Sequence, residues 1–309
     1  MQAIRLFAIA ATCACASAAL ATDRAAAVET YAGIAAAFGD SLTAAKRLQM
    51  SVDALIAAPS ADTVEFLLWG QDLNGFGPGA GQRQWTDLAA DACTNGNCDR
   101  RADPLKVATD LLVADLDFMA GNWAEGGAAR LAVTADPDTG LQAMLTGMGS
   151  LGYGEQAGQR MKLGLMLNDP EEEHDCFSGN TFNSHYYNGL GIRNICLGQY
   201  LGIDGTLIPG PSPADLVAEA DPGLDRAMRA DLDDTMARPG RIKTAGEAGF
   251  AHDMMLQAGN ARGEALIMGA VDALVHQTRG IEHVVTALGL NGVTVEGSDS
   301  LDNPAAVFQ

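Results

Sequence analysis

Residues 168–200 read NDPEEEHDCFSGNTFNSHYYNGLGIRNICLGQY, and the reading of this stretch decides how the rest of the chain is taken. It opens as a helix does. Asp169 is a good N-cap, Pro170 suits the first helical position, and Glu171, Glu172 and Glu173 favour the positive end of a helix dipole. The helical pattern then lapses. His174, Asp175, Cys176, Ser178, Asn180, Thr181, Asn183 and Ser184 come next with no apolar periodicity, and such side chains compete for backbone hydrogen bonds. Two readings stand side by side: a capped helix start followed by a self-bonded loop, or a polar loop that holds a cation or small ligand.

On both sides of this stretch the sequence is helical. Ala25 to Ala58 is free of proline and repeats apolar residues at helical intervals (Val28, Tyr31, Ile34, Phe38, Leu42), which predicts one long amphipathic helix ended by Pro59. A second helix starts at once and runs through FLLWG, with Asp62 and Glu65 spaced like an N-cap and its N3 partner. Gln71 to Arg83 is a glycine-rich loop without the strand or GKS/GKT of a phosphate cradle. Leu105 to Trp123 predicts another helix, and Asp136-Pro137-Asp138 a turn or linker. Between Gln142 and Leu167, Met and Leu alternate with Gly, which points to close packing or breaks. Ser212-Pro213-Ala214-Asp215 starts a helix expected to reach Ala230. Residues 246–288 are helical and the last twenty form a frayed tail. No β-branched alternation is long enough for a sheet. The fold class is all-α, a helical bundle in two parts with boundaries at 22–135 and 136–309.

Residues 1–21 have the basic start, short apolar run and small-residue cleavage pattern (Ala19-Leu20-Ala21) of an export signal, so the expected location is periplasmic or secreted. The chain carries a formal charge of −20, and −21 without those residues, since they hold one arginine and no acid. Such a balance excludes nucleic acid as a partner and suits a protein that handles cations. No later run is long and apolar enough to span a membrane. Beyond residue 21 the cysteines are Cys93, Cys98, Cys176 and Cys196. In an oxidising compartment an even count reads as disulfides: Cys93 with Cys98 around the turn-forming TNGN, then Cys176 with Cys196. Zinc binding is the alternative. Among the histidines, His276 and His283 lie too far apart along a helix to share an ion, about 10 Å. His252 reads as a hydrogen-bonded surface residue and His185 as packing, whereas His174 sits in an acidic setting that makes it the imidazole candidate for a ligand.

Three blocks resemble the imelysin-like proteins of bacterial envelopes, the group that includes iron-regulated protein A and the insulin-cleaving membrane protease. They are VEFLLWGQDLNGFGPGAGQRQWTDL (64–88) with CTNGNCDRR after it, RMKLGLMLNDPEEEHDCFSGNTFNSHYYNGLGIRN (160–194), and QAGNARGEALIMGAVDALVHQTRGIEHVVTALG (257–289). The resemblance implies two helical bundles with a site between them and a GxHxxE signature whose His and Glu bind metal. By position the signature's Glu is Glu65, while its Gly and His fall on Ser60 and Asp62. The residues around this join read as though an intervening helical block were excised there, removing the signature histidine and shortening the first bundle.

The resemblance thus implies metal binding linked to iron uptake or envelope metal homeostasis. The expected metal ligands are Glu65, Glu173, His174 and Asp62, with Arg160, Ser178 and Asn180 orienting them from behind. Iron is the expected ion ahead of zinc or calcium. The spacing of the Asp62–Glu65 pair itself favours a helix cap over a cation site. Envelope iron-transport proteins, or self-association through apolar faces left by the excision, are the expected partners. A metallopeptidase of the same family is the alternative, and so is a degenerate module that only binds. Zincin chemistry needs His ligands and a general base, and no HExxH occurs here.

Overall fold

The computed structural model describes residues 23–37 and 61–308; the expected export signal, most of the predicted first helix (38–58), Ser60 and the side chain of Asp62 lie outside them. Among the described residues the fold is all-α apart from one small hairpin. Helix α1 is described over residues 23–37. Then come α2 (Ala61–Trp69), α3 (Cys98–Trp123), α4 (Ala128–Thr134) and α5 (Pro137–Ser150). From α5 the chain passes without a break into a π-helical segment, Leu151–Lys162, and on into α6 (Leu163–Leu167). The remainder is α7 (Thr181–Leu197), strands β1 (Gln199–Leu201) and β2 (Leu207–Pro209), α8 (Pro213–Ala220), α9 (Pro222–Glu247), α10 (His252–Leu256), α11 (Ala261–Ala287) and α12 (Asp299–Asp302). The strands pair antiparallel, Tyr200 opposite Ile208.

Local chemistry sets most of these starts. At α8 the Ser212 hydroxyl and the Asp215 carboxylate cap each other's backbone N–H, a complete capping box. Asp221 then accepts from the Gly223 and Leu224 N–H groups with Pro222 at the first position, so α9 starts afresh where one helix to Ala230 was expected. Asp136 with Pro137 likewise starts α5, one residue beyond the C-cap of α4, so the expected linker is a helix junction. Helix α3 begins at Cys98, before the predicted Leu105, and carries Pro104 in its second turn.

The bundle is built from α5 and the π segment, α7, α9 and α11. Helix α11 packs on α9 and the π segment, and α7 packs on α9. One half of the core gathers Leu141, Met144, Leu145, Met148, Ile192, Leu232, Ile281 and Val284, with Ala27 and Val28 of α1. The other gathers Met161, Ile242, Met255, Leu256, Ile267, Val271 and Leu274. The predicted role of the Met residues as core filler is met by both groups. Helix α3 is far less buried, with Leu111 and Phe118 exposed.

The expected frayed tail is instead docked. A Cβ on Gly154 would lie 2.5 Å from the Glu296 carbonyl oxygen, and one on Gly158 would lie 2.3 Å from the Ser298 Cβ. Glycines in the π segment therefore let the C-terminal strap lie directly on the helix, an approach any larger residue blocks. Ser298 and Ser300 are buried there, and the Ser300 hydroxyl donates to the Gly158 carbonyl at 2.9 Å.

Cys93 and Cys98 form the expected disulfide. Cys176 and Cys196 do not pair with each other. Cys196 is near the end of α7, and Thr181 to Ile195 stand between the two, about 22 Å of helix, far beyond the Cα separation a disulfide spans. Cys196 is buried against the Met228 sulfur at 3.5 Å, and burial pushes its thiol up to about 12.

Candidate metal centre

The central loop is shorter than its sequence suggests. Asn168 turns the chain in the left-handed region (φ 51°), and its side-chain amide donates to the Leu165 and Leu256 carbonyls at 3.0 and 2.9 Å. Asp169 caps as expected, accepting from the Glu171 N–H, but it starts only a single 3-10 turn, Pro170–Glu172. Glu173 is extended, a run of turns reaches Gly179, and α7 already begins at Thr181, before the polar run ends.

A clasp from the first part of the chain holds this loop. The Glu65 carboxylate, 1% exposed, accepts from the Ser178 backbone N–H at 2.7 Å. The Gly81 N–H donates to the Phe177 carbonyl at 2.8 Å, and the Gln71 amide donates to Glu171 at 2.7 Å. Phe66 and Phe177 meet edge to face at 5.2 Å. At Gly179, φ is +65° and a Cβ would lie 2.8 Å from the Gly79 carbonyl oxygen, so the two glycine-bearing loops touch backbone to backbone. The glycine-rich loop is thus a packing element. The expected Asp62–Glu65 cap rests on a side chain outside the described residues, and Glu65 reaches across the fold to the loop.

Inside the clasp lies a concentration of buried polar groups. Glu173, Asp175, His185, His252 and Asp253 are all buried, and His174 is partly so. Helix α10 delivers His252 and Asp253 by packing on α6 and the 3-10 turn. The expected surface position of His252 is therefore wrong: it is 2% exposed. His185, 0% exposed, comes from the second turn of α7, where its carbonyl accepts from the Gln156 amide at 2.7 Å. The three imidazoles touch in a row. His174 and His185 are 5.6 Å apart between ring centres at 90°, and His185 and His252 are 5.0 Å apart at 58°.

Their electrostatics stem from burial. Removal from water pulls His174 down to about 4, assisted by the Arg160 charge and opposed by Glu155. Burial pulls His252 down to about 3 and His185 well below its ordinary range, with the neighbouring imidazoles adding to it. Burial first, and the adjacent Asp253 charge second, push the Glu173 carboxyl well above the usual range. Asp253 is pushed up to about 6, again chiefly by burial. Although Glu173 lies beside Asp253 and Thr181, neither of its carboxylate oxygens makes a hydrogen bond of good geometry. Both ring nitrogens of His185 and of His252, and Nδ1 of His174, also lack a partner. Each such buried group costs about 1–3 kcal/mol.

Glu173 and His174 line an open pocket of about 620 Å³ together with Arg160, Glu155, Glu171 and Cys176. The guanidinium of Arg160 is paired with Glu155 at 2.8 Å, a five-residue separation that suits the i→i+5 register of the π segment. Ser178 reaches Glu65 through its backbone, while its hydroxyl is buried without a partner. Asn180 is turned toward the first turn of α7, where its side-chain oxygen accepts from the Asn183 amide at 2.7 Å. The fold brings Glu173, His174 and Arg160 to one pocket and ties Glu65 to the same loop from the other side. Among the described residues, no three His, Cys, Asp or Glu side chains stand ready-placed around one ion. A larger groove between α9 and α11, about 680 Å³, holds two arginines but no carboxylate, histidine or cysteine.

His252 and Asp253 were missed as site residues because α10 is far from the loop in sequence. Only their type, a titratable pair at the head of a short helix, marked them. Among the described residues no helix is long and apolar enough to cross a membrane. No curated protein matches the chain. A family model named Imelysin matches residues 62–281, a span that includes Glu65, the central loop, α10 and most of α11. With that match over more than half its length, the chain belongs to the imelysin family.

Proposed function

We propose that this is an exported metal-binding protein of the bacterial envelope, periplasmic or secreted, that serves iron uptake or envelope metal homeostasis. The observation that carries the reading is Glu173, buried beside Asp253 with neither carboxylate oxygen in a hydrogen bond of good geometry, and adjoining His174 in one pocket. A buried carboxylate is retained where it is paired or ligates a cation. The family is metallopeptidase-like, which supports a metal ion in general. Oxygen and imidazole donors together suit Fe²⁺ or Zn²⁺ better than Ca²⁺, which takes six to eight oxygens. In this reading Glu173 and His174 are ligands, and Glu65 holds their loop through Ser178. The backbone alone of Asp62 is described, and no role is assigned to it.

Calorimetric titration with Fe²⁺ under anaerobic conditions and with Zn²⁺ tests this on the chain, beside Glu173→Ala and His174→Ala. Stoichiometric uptake that weakens in both variants is expected. A folded, monodisperse sample that takes up neither ion refutes the reading, and chelator-sensitive cleavage of a denatured protein substrate would replace it with a peptidase.

A further inference from the structure

We propose that His185 and His252 join His174 as a three-imidazole site for a borderline divalent transition-metal ion, of the Zn²⁺, Co²⁺ or Fe²⁺ kind, at the buried inner end of the carboxylate pocket. The inference rests on the reading of that pocket as a metal site and names its inner ligands. Two of the three rings were expected to have other roles, packing and surface hydrogen bonding. Tertiary structure alone brings them together, from the central loop, α7 and α10.

Hydrogen bonding gives the first support. A neutral imidazole has one donor and one acceptor nitrogen, and a buried one is normally fixed through both. His185 and His252 are essentially inaccessible, yet neither ring has a partner at either nitrogen. With Nδ1 of His174, five imidazole nitrogens are unused at one place in the core. A metal ion is the partner that satisfies several imidazoles at once, and neutral rings are its ligands.

Spacing gives the second. A Zn²⁺–N bond is 2.0–2.1 Å and the ring centre lies about 1.1 Å further on, so the ion stands about 3.2 Å from each ring centre. At a tetrahedral angle, two ligating rings then have centres about 5.2 Å apart, and at a right angle about 4.5 Å. The separations of His185 from its two neighbours, 5.6 and 5.0 Å, bracket the tetrahedral value, and the outer rings of His174 and His252 must close toward each other to share the ion. Because the nitrogens do not yet aim at one point, binding requires rotation about the Cβ–Cγ bonds, a soft torsion for histidine. Charge gives the third. Glu173 and Asp253 directly adjoin His174 and His252 in sequence, and Glu155 neutralises Arg160. A dication therefore has nearby carboxylates to balance it and one of them to complete a fourth position.

The test uses the chelator-stripped full chain with Co²⁺ as an optical probe and Zn²⁺ as competitor. One equivalent of Co²⁺ with intense visible absorption, displaced by one Zn²⁺, is expected. His185→Ala and His252→Gln, each checked for native circular dichroism, should lose at least about 100-fold in affinity, since even outer partners of metal ligands are worth 10–100-fold. X-ray absorption of the Zn²⁺-loaded wild-type chain supplies a readout independent of those variants: two or three imidazoles support the site, one or none overturns it. Wild-type binding in both histidine variants, with binding lost in Glu173→Ala, overturns this site and leaves the metal-binding reading standing. A wild-type chain that takes up neither Co²⁺ nor Zn²⁺ overturns both.

Discussion

Replacing Glu65 by alanine removes the strongest identified tie between the first part of the chain and the central loop. The carboxylate is 1% exposed and accepts from the Ser178 N–H at 2.7 Å. A hydrogen bond to a charged group is worth about 1.5–3 kcal/mol, and its loss also strands a donor in a partly buried setting. The expected destabilisation is about 2–3 kcal/mol, which for a domain of this size lowers Tm by roughly 5–10 °C. The effect is also local. The Ser178 and Gly81 amides, both bonded within the clasp, should lose hydrogen-exchange protection before the bundle helices do. Glu65→Gln keeps an acceptor oxygen and should recover at least half of the lost stability. Denaturant melts and exchange measured by mass spectrometry on the three proteins decide it. If Glu65→Ala lies within about 0.5 kcal/mol of wild type and the loop stays protected, the clasp does not hold the loop.

Other parts of the molecule give three further expected outcomes. The metal-free chain should be acid-labile: His174 and His252 sit at about 4 and about 3 when folded and nearer 6.5 when unfolded, so their contribution is complete above pH 6.5 and is lost as pH falls. Asp253 and Glu173, raised by folding, oppose this by losing stability as pH rises, which leaves three imidazoles against two carboxyls below pH 6. A net decline toward pH 4 is expected in denaturant melts, and a chain more stable at pH 4 than at pH 6 contradicts it. Gly158→Ala should cost about 1–3 kcal/mol and release exchange in residues 296–302, whereas Gly147→Ala, whose Cβ meets nothing within 4 Å, should be neutral or stabilising. Alkylation with mass mapping should find Cys93 and Cys98 blocked and Cys196 labelled only after unfolding.

Much of the candidate centre was legible because its signals are local. Asp169-Pro170 marked a start, and the Glu173-His174 pair marked a polar cluster, from side-chain types within a few residues. Cys93 and Cys98 were legible for the same reason, since four turn-forming residues bring them together. The Cys176–Cys196 pairing failed because pairing by elimination ignores the length of the helix between them. His252 failed because the burial of a five-residue helix depends on what it packs against, here α6 and the 3-10 turn. The frayed tail failed likewise: a polar, glycine-containing segment has no periodicity to reveal that glycines about 140 residues away make room for it.

By itself the sequence determined the helical class, the positions of the capped starts at Asp169 and Ser212, and the acidic charge balance. These depend on hydrogen bonds and periodicities that close within one or two turns of chain. Only the tertiary structure decided that Glu65 reaches Ser178, that the glycine-rich loop is a clasp, and that His174, His185 and His252 share one buried place. Those facts depend on which helix faces meet, and a buried imidazole and an exposed one are written with the same letter.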